Sequence, residues 1–238
     1  MTIADNLVRV RETIDAAARA AGRHGRDIRL VAVSKTQPVA AIREALAAGQ
    51  HAFGENQVQE ATRKIPEVAA DAEWHLIGHL QTNKAKFVPA LFHWVQTLDR
   101  LELAEKLSAA AERQGHELQT LIQVNVTGDP RKHGVSPDAL PRLLESLLAA
   151  RLPRLRLRGL MTIGPHTDEA AARRRSFAEL RVLADRCRRE FGLGDFTELS
   201  MGMSDDYPDA IREGATLVRL GSVIFGARHY PTPDERRA

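Results

Sequence analysis

Lys35 is the residue whose position in this sequence most strongly suggests chemistry. It follows the apolar run LVAV and Ser34, so its amine stands at the end of a predicted strand, at the edge of an interior that we expect to be largely apolar. Loss of water there disfavours the ammonium form and lowers the pKa of the amine, as a Schiff-base lysine requires. From position alone, a lysine whose stem packs on apolar residues while its charge reaches water is an equally good interpretation.

Two segments that contain glycine and serine, SMGMSDDY at 200–207 and RLGSVIFG at 219–226, each join a predicted strand to a predicted helix. Free backbone N–H groups and the helix dipole attract anions at such junctions, glycine lets the backbone approach a ligand, and serine adds a hydroxyl donor. Arg219 could pair with a phosphate oxygen or with another part of a ligand. Each segment alone is also typical of an ordinary turn. Together with Lys35, they predict an amine opposite a phosphate-binding cup.

Other clusters carry weaker signals. His75 and His79 lie four apart in WHLIGH, but no acidic ligand accompanies them, so we expect no metal site. Arginine-rich stretches at 173–175 and 186–190 share one predicted helix with an apolar stripe, which favours a solvated face over a nucleic-acid site. Cys187 lies on that stripe and is expected to be a buried, unreactive thiol.

The elements that must position these residues alternate between strand and helix along the chain, which is the signature of βαβ units. Eight strands are predicted: Arg29 to Ser34, His51 to Gly54, Trp74 to Gly78, Trp94 to Leu98, Leu118 to Val126, Leu155 to Met161, Thr197 to Ser200 and Leu217 to Leu220. Helical stretches are predicted to start near Pro38, Asn56, Asn83, Arg100, Ser136, Asp168 and Tyr207, and after Gly221. This pattern predicts an α/β fold, a single (β/α)8 TIM-type barrel with functional side chains at the carboxyl ends of its strands.

The ends of the elements carry their own signals. An extra amphipathic helix is predicted within residues 1–22, before the first strand, and a short tail at 229–238. Ser136 with Pro137 is predicted to start one helix, and Asp206 is predicted to cap another without an acid/base role. Glycines are predicted to end four helices, at Gly49, Gly115, Gly192 and Gly214.

Composition limits the class of protein. The 238 residues are 43% hydrophobic and 27% charged, an ordinary balance for a soluble globular chain. A formal net charge of +3 is too small to indicate nucleic-acid binding. The single cysteine fits a reducing cytoplasm and excludes an internal disulfide. No apolar stretch is long enough to span a membrane, so we expect no membrane association.

Six segments together resemble the pyridoxal phosphate homeostasis proteins. They are VAVSKTQP, FGENQVQE, WHLIGHLQTNK, LRGLMTIG, LSMGMSDDYPDAI and VRLGSVIFGAR, and they run in order from about residue 28 to residue 228. This family is a one-domain relative of the barrel half of alanine racemase. The resemblance implies that pyridoxal 5'-phosphate (PLP) is held as a Schiff base on Lys35. The other cofactor-binding residues that it implies are Ser200, Gly202, Ser204, Gly221 and Ser222 at the phosphate, Arg219 close to the cofactor, and Asn56 and Met201 as pocket neighbours.

The resemblance implies a carrier or regulator of intracellular PLP and amino-acid pools rather than a catalyst, with PLP-dependent apoenzymes as possible acceptors. Two-base racemisation needs an acid opposite Lys35, yet Tyr207 is predicted to start a helix and Tyr230 lies in the polar tail. In alanine racemase, a second domain supplies a tyrosine as this acid and also forms the dimer. The resemblance offers no counterpart of that domain here, so a monomer is expected. Two alternatives remain open: a PLP-dependent amino-acid racemase or lyase, and a phosphate-ligand barrel in which Lys35 is only a charge.

Overall fold

A computed structural model of the protein describes residues 2–226. Its eight strands are all parallel and close into a barrel in sequence order, with β8 paired to β1. The predicted (β/α)8 barrel is confirmed; the tail predicted at 229–238 and Tyr230 lie outside the described residues. The strands are β1 (Arg29–Val33), β2 (Ala52–Glu55), β3 (Glu73–Leu76), β4 (Trp94–Leu98), β5 (Leu118–Gln123), β6 (Leu155–Met161), β7 (Glu198–Ser200) and β8 (Leu217–Leu220).

The connections between the strands carry helices that cover the outside of the barrel. Helix α1 precedes β1, and short 3₁₀ helices occur at Gly25–Asp27, Ile65–Glu67 and Thr82–Phe87. None of the helices within 2–226 combines the length and the apolar character needed to cross a membrane. The α-helices are α1 (Ile3–Ala20), α2 (Val39–Ala47), α3 (Val58–Lys64), α4 (Leu101–Gln114), α5 (Leu140–Ala149), α6 (Ala170–Glu190), α7 (Tyr207–Arg212) and α8 (Ser222–Phe225).

Helix α1 is the predicted extra helix, and its apolar stripe is buried. Thr2 and Asp5 cap its first turn by reciprocal hydrogen bonds between side chain and backbone. Its contacts reach α7 and α8, and the side chain of Asn6 donates a hydrogen bond to the Ile224 carbonyl at 2.8 Å. The helix therefore packs beside the last strand–helix unit. Its buried residues are Leu7, Val10, Ile14, Ala17 and Ala18.

One predicted helix start is wrong. Ser136 and Pro137 form a turn in which the Ser136 hydroxyl accepts from the Ala139 N–H, and α5 begins only at Leu140, where Pro141 supplies the fixed φ of a first turn. The stretch predicted to start near Asn83 is helical and consists of the 3₁₀ helix Thr82–Phe87. The four glycines predicted to end helices all have positive φ, from 64° to 102°.

The inside of the barrel is more polar than the sequence predicts. Alternate residues of each strand face inward, and two small apolar clusters lie apart from the main core between strands and helices. The expectation of a largely apolar interior is wrong, because long polar side chains fill much of the space between these clusters. The polar side chains that are at least 96% buried include His75, Gln96, Ser200 and Arg219.

Packing of α1 against the barrel is tested by two neighbouring substitutions. Leu7 is 1% exposed and Val8 is 56% exposed. We expect Leu7→Ala to lower the free energy of unfolding by about 2–5 kcal/mol, because it leaves a cavity beneath the helix. Val8→Ala, the matched control, is expected to change it by less than about 0.5 kcal/mol. Urea unfolding followed by circular dichroism measures both, and equal small effects would show that α1 does not pack as described.

Candidate functional site

Lys35 follows β1 and stands between two residues whose backbone is held firmly. The buried Ser34 donates its N–H to the Gly54 carbonyl at 3.0 Å and its hydroxyl to Glu55 Oε1 at 2.7 Å. On the other side, Thr36 has φ +65°, a left-handed conformation that is strained for a β-branched residue. The partly buried Lys35 is therefore presented from a rigid and strained segment of chain.

Acidic groups and Lys64 hold this segment in place. Lys64 Nζ donates to the Ser34 carbonyl at 2.9 Å and forms ion pairs with Glu55 and Glu60. Glu60 in turn accepts the Thr36 N–H at 2.7 Å, which ties the strained residue to α3. Burial raises the pKa of Glu55, and its Oε2 atom is buried without a hydrogen-bond partner. Both ends of the Lys35 backbone are thus linked to β2 and α3.

The loop after β7 is shaped by Gly202, which lies at φ +95°. A Cβ atom added there would come within 2.7 Å of the Ala210 side chain and 2.9 Å of the Tyr207 backbone, so only glycine fits. The preceding Met201 is fully buried. Asp206 occupies the N-cap position of α7 as predicted. Its carboxylate, however, accepts the Met203 N–H at 2.6 Å and thus stabilises the loop rather than the helix.

The loops after β7 and β8 meet at one hydrogen bond. Ser204 Oγ accepts the Gly221 N–H at 3.4 Å, and the exposed Ser222 begins α8. A Cβ atom added at Gly221 would lie 3.4 Å from the Val33 carbonyl oxygen, two residues before Lys35. We call Gly202, Ser204, Gly221 and Ser222 the phosphate cup, after their predicted role. The cup adjoins the end of β1 because β8 pairs with that strand.

Asn56 lies on the other side of Lys35, after β2. It is partly buried, and its backbone packs so closely on Gly78 that a Cβ there would be 2.3 Å from the Asn56 carbonyl oxygen. The predicted site residues therefore lie on four consecutive strands, β7, β8, β1 and β2. Asn56 and Met201 remain predictions as cofactor neighbours.

Arg219 and Ser200 lie inside the barrel. The guanidinium of Arg219 donates to Ser200 Oγ at 2.6 Å and to the Thr162 carbonyl at 2.8 Å. Burial lowers the pKa of Arg219 to about 10, although the negative charge of Asp206 opposes this shift. The Ser200 hydroxyl donates to Gln96 at 2.6 Å, so its hydrogen is bonded to Gln96 while its oxygen accepts from Arg219. The predicted cofactor contacts of Arg219 and Ser200 remain predictions.

The two histidines of WHLIGH do not face the same space. His75 is fully buried between Glu73 and Gln96, whereas His79 stacks on His133 with ring centroids 3.9 Å apart. Within residues 2–226, no group of three His, Cys, Asp or Glu side chains is arranged to hold a metal ion.

The other residues singled out in the sequence have structural roles. Arg173 and Arg174 on α6 pair with Asp209 and Glu213, which joins α6 to the α7 region. Burial raises the pKa of the Cys187 thiol, as predicted for an unreactive cysteine.

Several residues that were not predicted from the sequence also shape this site. Glu55 is not among the predicted site residues, and the contacts of Glu60 and Lys64 with the Lys35 segment were not predicted. A glutamate directly after the apolar strand residues AFG is a usable signal for Glu55. Thr36 carries no such signal, because threonine ordinarily avoids positive φ.

Known proteins match this chain over nearly its full length. The family model described as alanine racemase, N-terminal domain, matches residues 6–229. The pyridoxal phosphate homeostasis protein of Pseudomonas aeruginosa is 48% identical over 233 residues, which cover 98% of each chain. The protein of that name from Escherichia coli K12 is 42% identical over 232 residues, 96% of this chain and 97% of the relative.

Solved structures agree with these matches. PipY of Synechococcus elongatus PCC7942, solved with PLP bound, has a TM-score of 0.83 at 38% identity and matches 94% of this chain and 100% of PipY. An alanine racemase of Clostridium difficile 630 has a TM-score of 0.71 at 16% identity over 97% of this chain and 57% of the racemase, a likeness of fold alone. The chain belongs to the alanine racemase N-terminal-domain family and, within it, to the pyridoxal phosphate homeostasis proteins.

Proposed function

We propose that this protein binds PLP as a Schiff base on Lys35, with the phosphate group in the phosphate cup. The observation that carries the proposal is the position of Lys35 beside the cup, at the same end of the barrel, on the paired strands β1 and β8. The relatives from P. aeruginosa and E. coli are named for PLP homeostasis, and PipY has been solved with PLP bound. Both findings support the same cofactor in this chain.

The amine of Lys35 is the group that would attach the cofactor. In its neutral form it adds to the aldehyde carbon of PLP, a C=N bond replaces the C=O bond, and the oxygen leaves as water with the two amine hydrogens. The firm backbone on either side of Lys35, at Ser34 and Thr36, supports this role because it fixes where the amine begins.

The phosphate cup fits a dianion by the chemistry of its donors. Glycine at 202 and 221 leaves the backbone open to close approach, and backbone N–H groups and serine hydroxyls donate to phosphate oxygens. Ser204 accepts a hydrogen bond from Gly221, which leaves its own hydrogen to point at a ligand. We propose Arg219, Ser200, Met201 and Asn56 as residues that line or support the site.

The physiological role that we propose is PLP and amino-acid homeostasis, with the protein as a carrier or regulator and PLP-dependent apoenzymes as possible acceptors. The homeostasis names of the relatives support this role. We extend the proposal to one PLP-binding domain over residues 1–238, acting as a monomer. The free, buried thiol of Cys187 supports a cytoplasmic location. Light scattering of the purified protein tests the monomer.

Lys35→Ala tests the covalent attachment. We expect the wild-type protein incubated with PLP to show visible absorption, and Lys35→Ala to lose it, because only the amine at 35 forms the Schiff base. Borohydride reduction and mass spectrometry should find the pyridoxyl adduct on Lys35. The control, Lys106→Ala on the exposed face of α4, should keep both signals. A colourless wild-type protein, or an adduct retained in Lys35→Ala, contradicts the proposal; a lysine that acts only as a charge gives no adduct.

Ser204→Ala combined with Ser222→Ala tests the phosphate cup. We expect PLP to bind about tenfold more weakly, because each lost hydrogen bond to a charged group contributes about 1.5–3 kcal/mol before compensation by water. Binding of pyridoxal, which lacks the phosphate, should not change. Ser146→Ala on α5 is the matched control, since its hydroxyl bonds only within its own helix. An equal loss for both ligands in a titration followed by absorption would place the phosphate elsewhere.

Exchange of the amino-acid α-proton distinguishes a carrier from a racemase or lyase. In deuterated water with a panel of amino acids, we expect no exchange beyond that of free PLP, because the tyrosine within residues 2–226, Tyr207, is buried in the first turn of α7. Rapid exchange that disappears in Lys35→Ala would establish the enzyme instead. Proton NMR of the α-position measures the rate.

A further inference from the structure

An unbroken chain of hydrogen bonds crosses the inside of the barrel. It begins at Arg219 on β8, passes to Ser200 on β7 at 2.6 Å, and continues to Gln96 on β4 at 2.6 Å. From Gln96 it runs to His75 Nδ1 at 2.9 Å, and from His75 Nε2 to Glu73 at 2.9 Å. The chain therefore connects the region of the proposed cofactor site with the opposite end of the barrel.

The chemistry of the donors gives this chain one direction. The amide nitrogen of Gln96 can only donate, so His75 Nδ1 must accept, and His75 is a neutral imidazole with its hydrogen on Nε2. That hydrogen is donated to the carboxylate of Glu73. At the other end, the Gln96 carbonyl takes the Ser200 hydrogen, which leaves the Ser200 oxygen to accept from Arg219. Each donor in this series of hydrogen bonds, from Arg219 to Glu73, thus faces an acceptor.

Burial and nearby charges agree with a neutral His75. Burial lowers its pKa, the carboxylate of Glu73 opposes this shift, and the positive charge of Arg29 reinforces it. Burial alone would raise the pKa of Glu73, but the hydrogen bond from His75 and the charge of Arg29 outweigh it and lower that pKa to about 2. The far end of the chain is therefore a carboxylate, paired with Arg29 at 3.2 Å.

We propose that Gln96 and His75 are positioning residues for the PLP site and act on it through Ser200 and the guanidinium of Arg219. The inference rests on the proposed function, because Arg219 matters to PLP only if PLP binds at this end of the barrel. Within residues 2–226, the hydrogen bonds of this guanidinium go to Ser200 and to the Thr162 carbonyl. Gln96 fixes the orientation of the Ser200 hydroxyl, so its loss leaves one of these two acceptors without a fixed orientation.

The tautomer of His75 controls the state of Ser200. If His75 gained a proton, both of its nitrogens would donate, and the Gln96 amide would have to turn so that its oxygen faced the ring. Its NH₂ group would then face Ser200, which already accepts from Arg219, and the Ser200 hydrogen would lose its acceptor. A change of one proton at β3 would thus reverse the chain up to the residue that contacts Arg219.

The experiment compares two substitutions of one residue with a control. Gln96→Glu keeps an acceptor for Ser200 but offers no hydrogen to His75 Nδ1. Gln96→Leu removes both bonds at similar size. Thr120→Val is the matched control. Thr120 is fully buried in β5, and its hydroxyl donates to the Arg156 carbonyl, which is not part of the series of hydrogen bonds from Arg219 to Glu73.

Imidazole ¹⁵N NMR of the PLP-free protein reads the chain directly. We expect wild-type His75 to carry its hydrogen on Nε2 at neutral pH and to become doubly protonated in Gln96→Glu, where a carboxylate faces Nδ1. Thr120→Val should match the wild type. A wild-type His75 that is charged, or protonated on Nδ1, overturns the inference whether or not PLP binds.

Absorption of the bound PLP reads the consequence for the site. We expect both Gln96 variants to keep the adduct on Lys35. Gln96→Leu should bind PLP about tenfold more weakly, because Ser200 loses its acceptor. Gln96→Glu should shift the pH at which the visible band titrates, because it places a carboxylate beside Ser200 and near Arg219. If Gln96→Leu does not fold, Gln96→Glu decides the matter. Gln96 variants that match the wild type in affinity and spectrum, or a control that changes as much, contradict the inference while the proposed function stands. A wild-type protein without the band overturns the proposed function itself.

Discussion

The pairing of β8 with β1 is the constraint on which the rest of this molecule depends. Hydrogen bonding in register from Arg29 opposite Leu217 to Ala32 opposite Leu220 turns an open parallel sheet into a closed barrel. It leaves neither strand with a free edge. The same pairing sets the phosphate cup beside Lys35, although the two are distant in sequence. The closure of the fold and the assembly of the candidate site are therefore one event.

The strained backbone conformation of Thr36 is stabilised by the groups around it. A β-branched residue at φ +65° costs about 1–3 kcal/mol, and such a conformation persists only where its surroundings fix it. Glu60 holds the Thr36 N–H, Lys64 holds the carbonyl of Ser34, and Glu55 holds the Ser34 hydroxyl. Because Lys64 also pairs with both glutamates, the charges stabilise one another where none is fully hydrated. The barrel thus maintains an otherwise unfavourable backbone next to Lys35, the lysine that we propose to bind PLP.

Sequence patterns were sufficient for the barrel but not for its interior. Apolar runs separated by helical patterns predicted eight strands in order, since each run fits a strand covered by helices. His75 and Gln96 could not be recognised as partners, because they lie on different strands and their contact depends on the stagger of the barrel. The conformation of Thr36 is likewise fixed by Glu60 on α3 and not by its neighbours in sequence. Local signals also misplaced the start of α5, where the second of two prolines begins the helix.

The polar interior follows from burying a single guanidinium. Arg219 is 4% exposed, so its N–H groups need acceptors in place of water. Ser200 can accept from Arg219 only if its own hydroxyl hydrogen points to another acceptor, which is the Gln96 carbonyl. The Gln96 amide group in turn needs an acceptor, which is His75 Nδ1. The requirement ends at Glu73, which is 35% exposed beside Arg29 in a cavity of about 560 Å³ that opens at the amino-terminal end of the strands. The hydrogen-bonding requirement of a guanidinium near one end of the barrel is thus carried through to the other end, and an apolar residue at Ser200, Gln96 or His75 would leave a buried donor or acceptor unsatisfied.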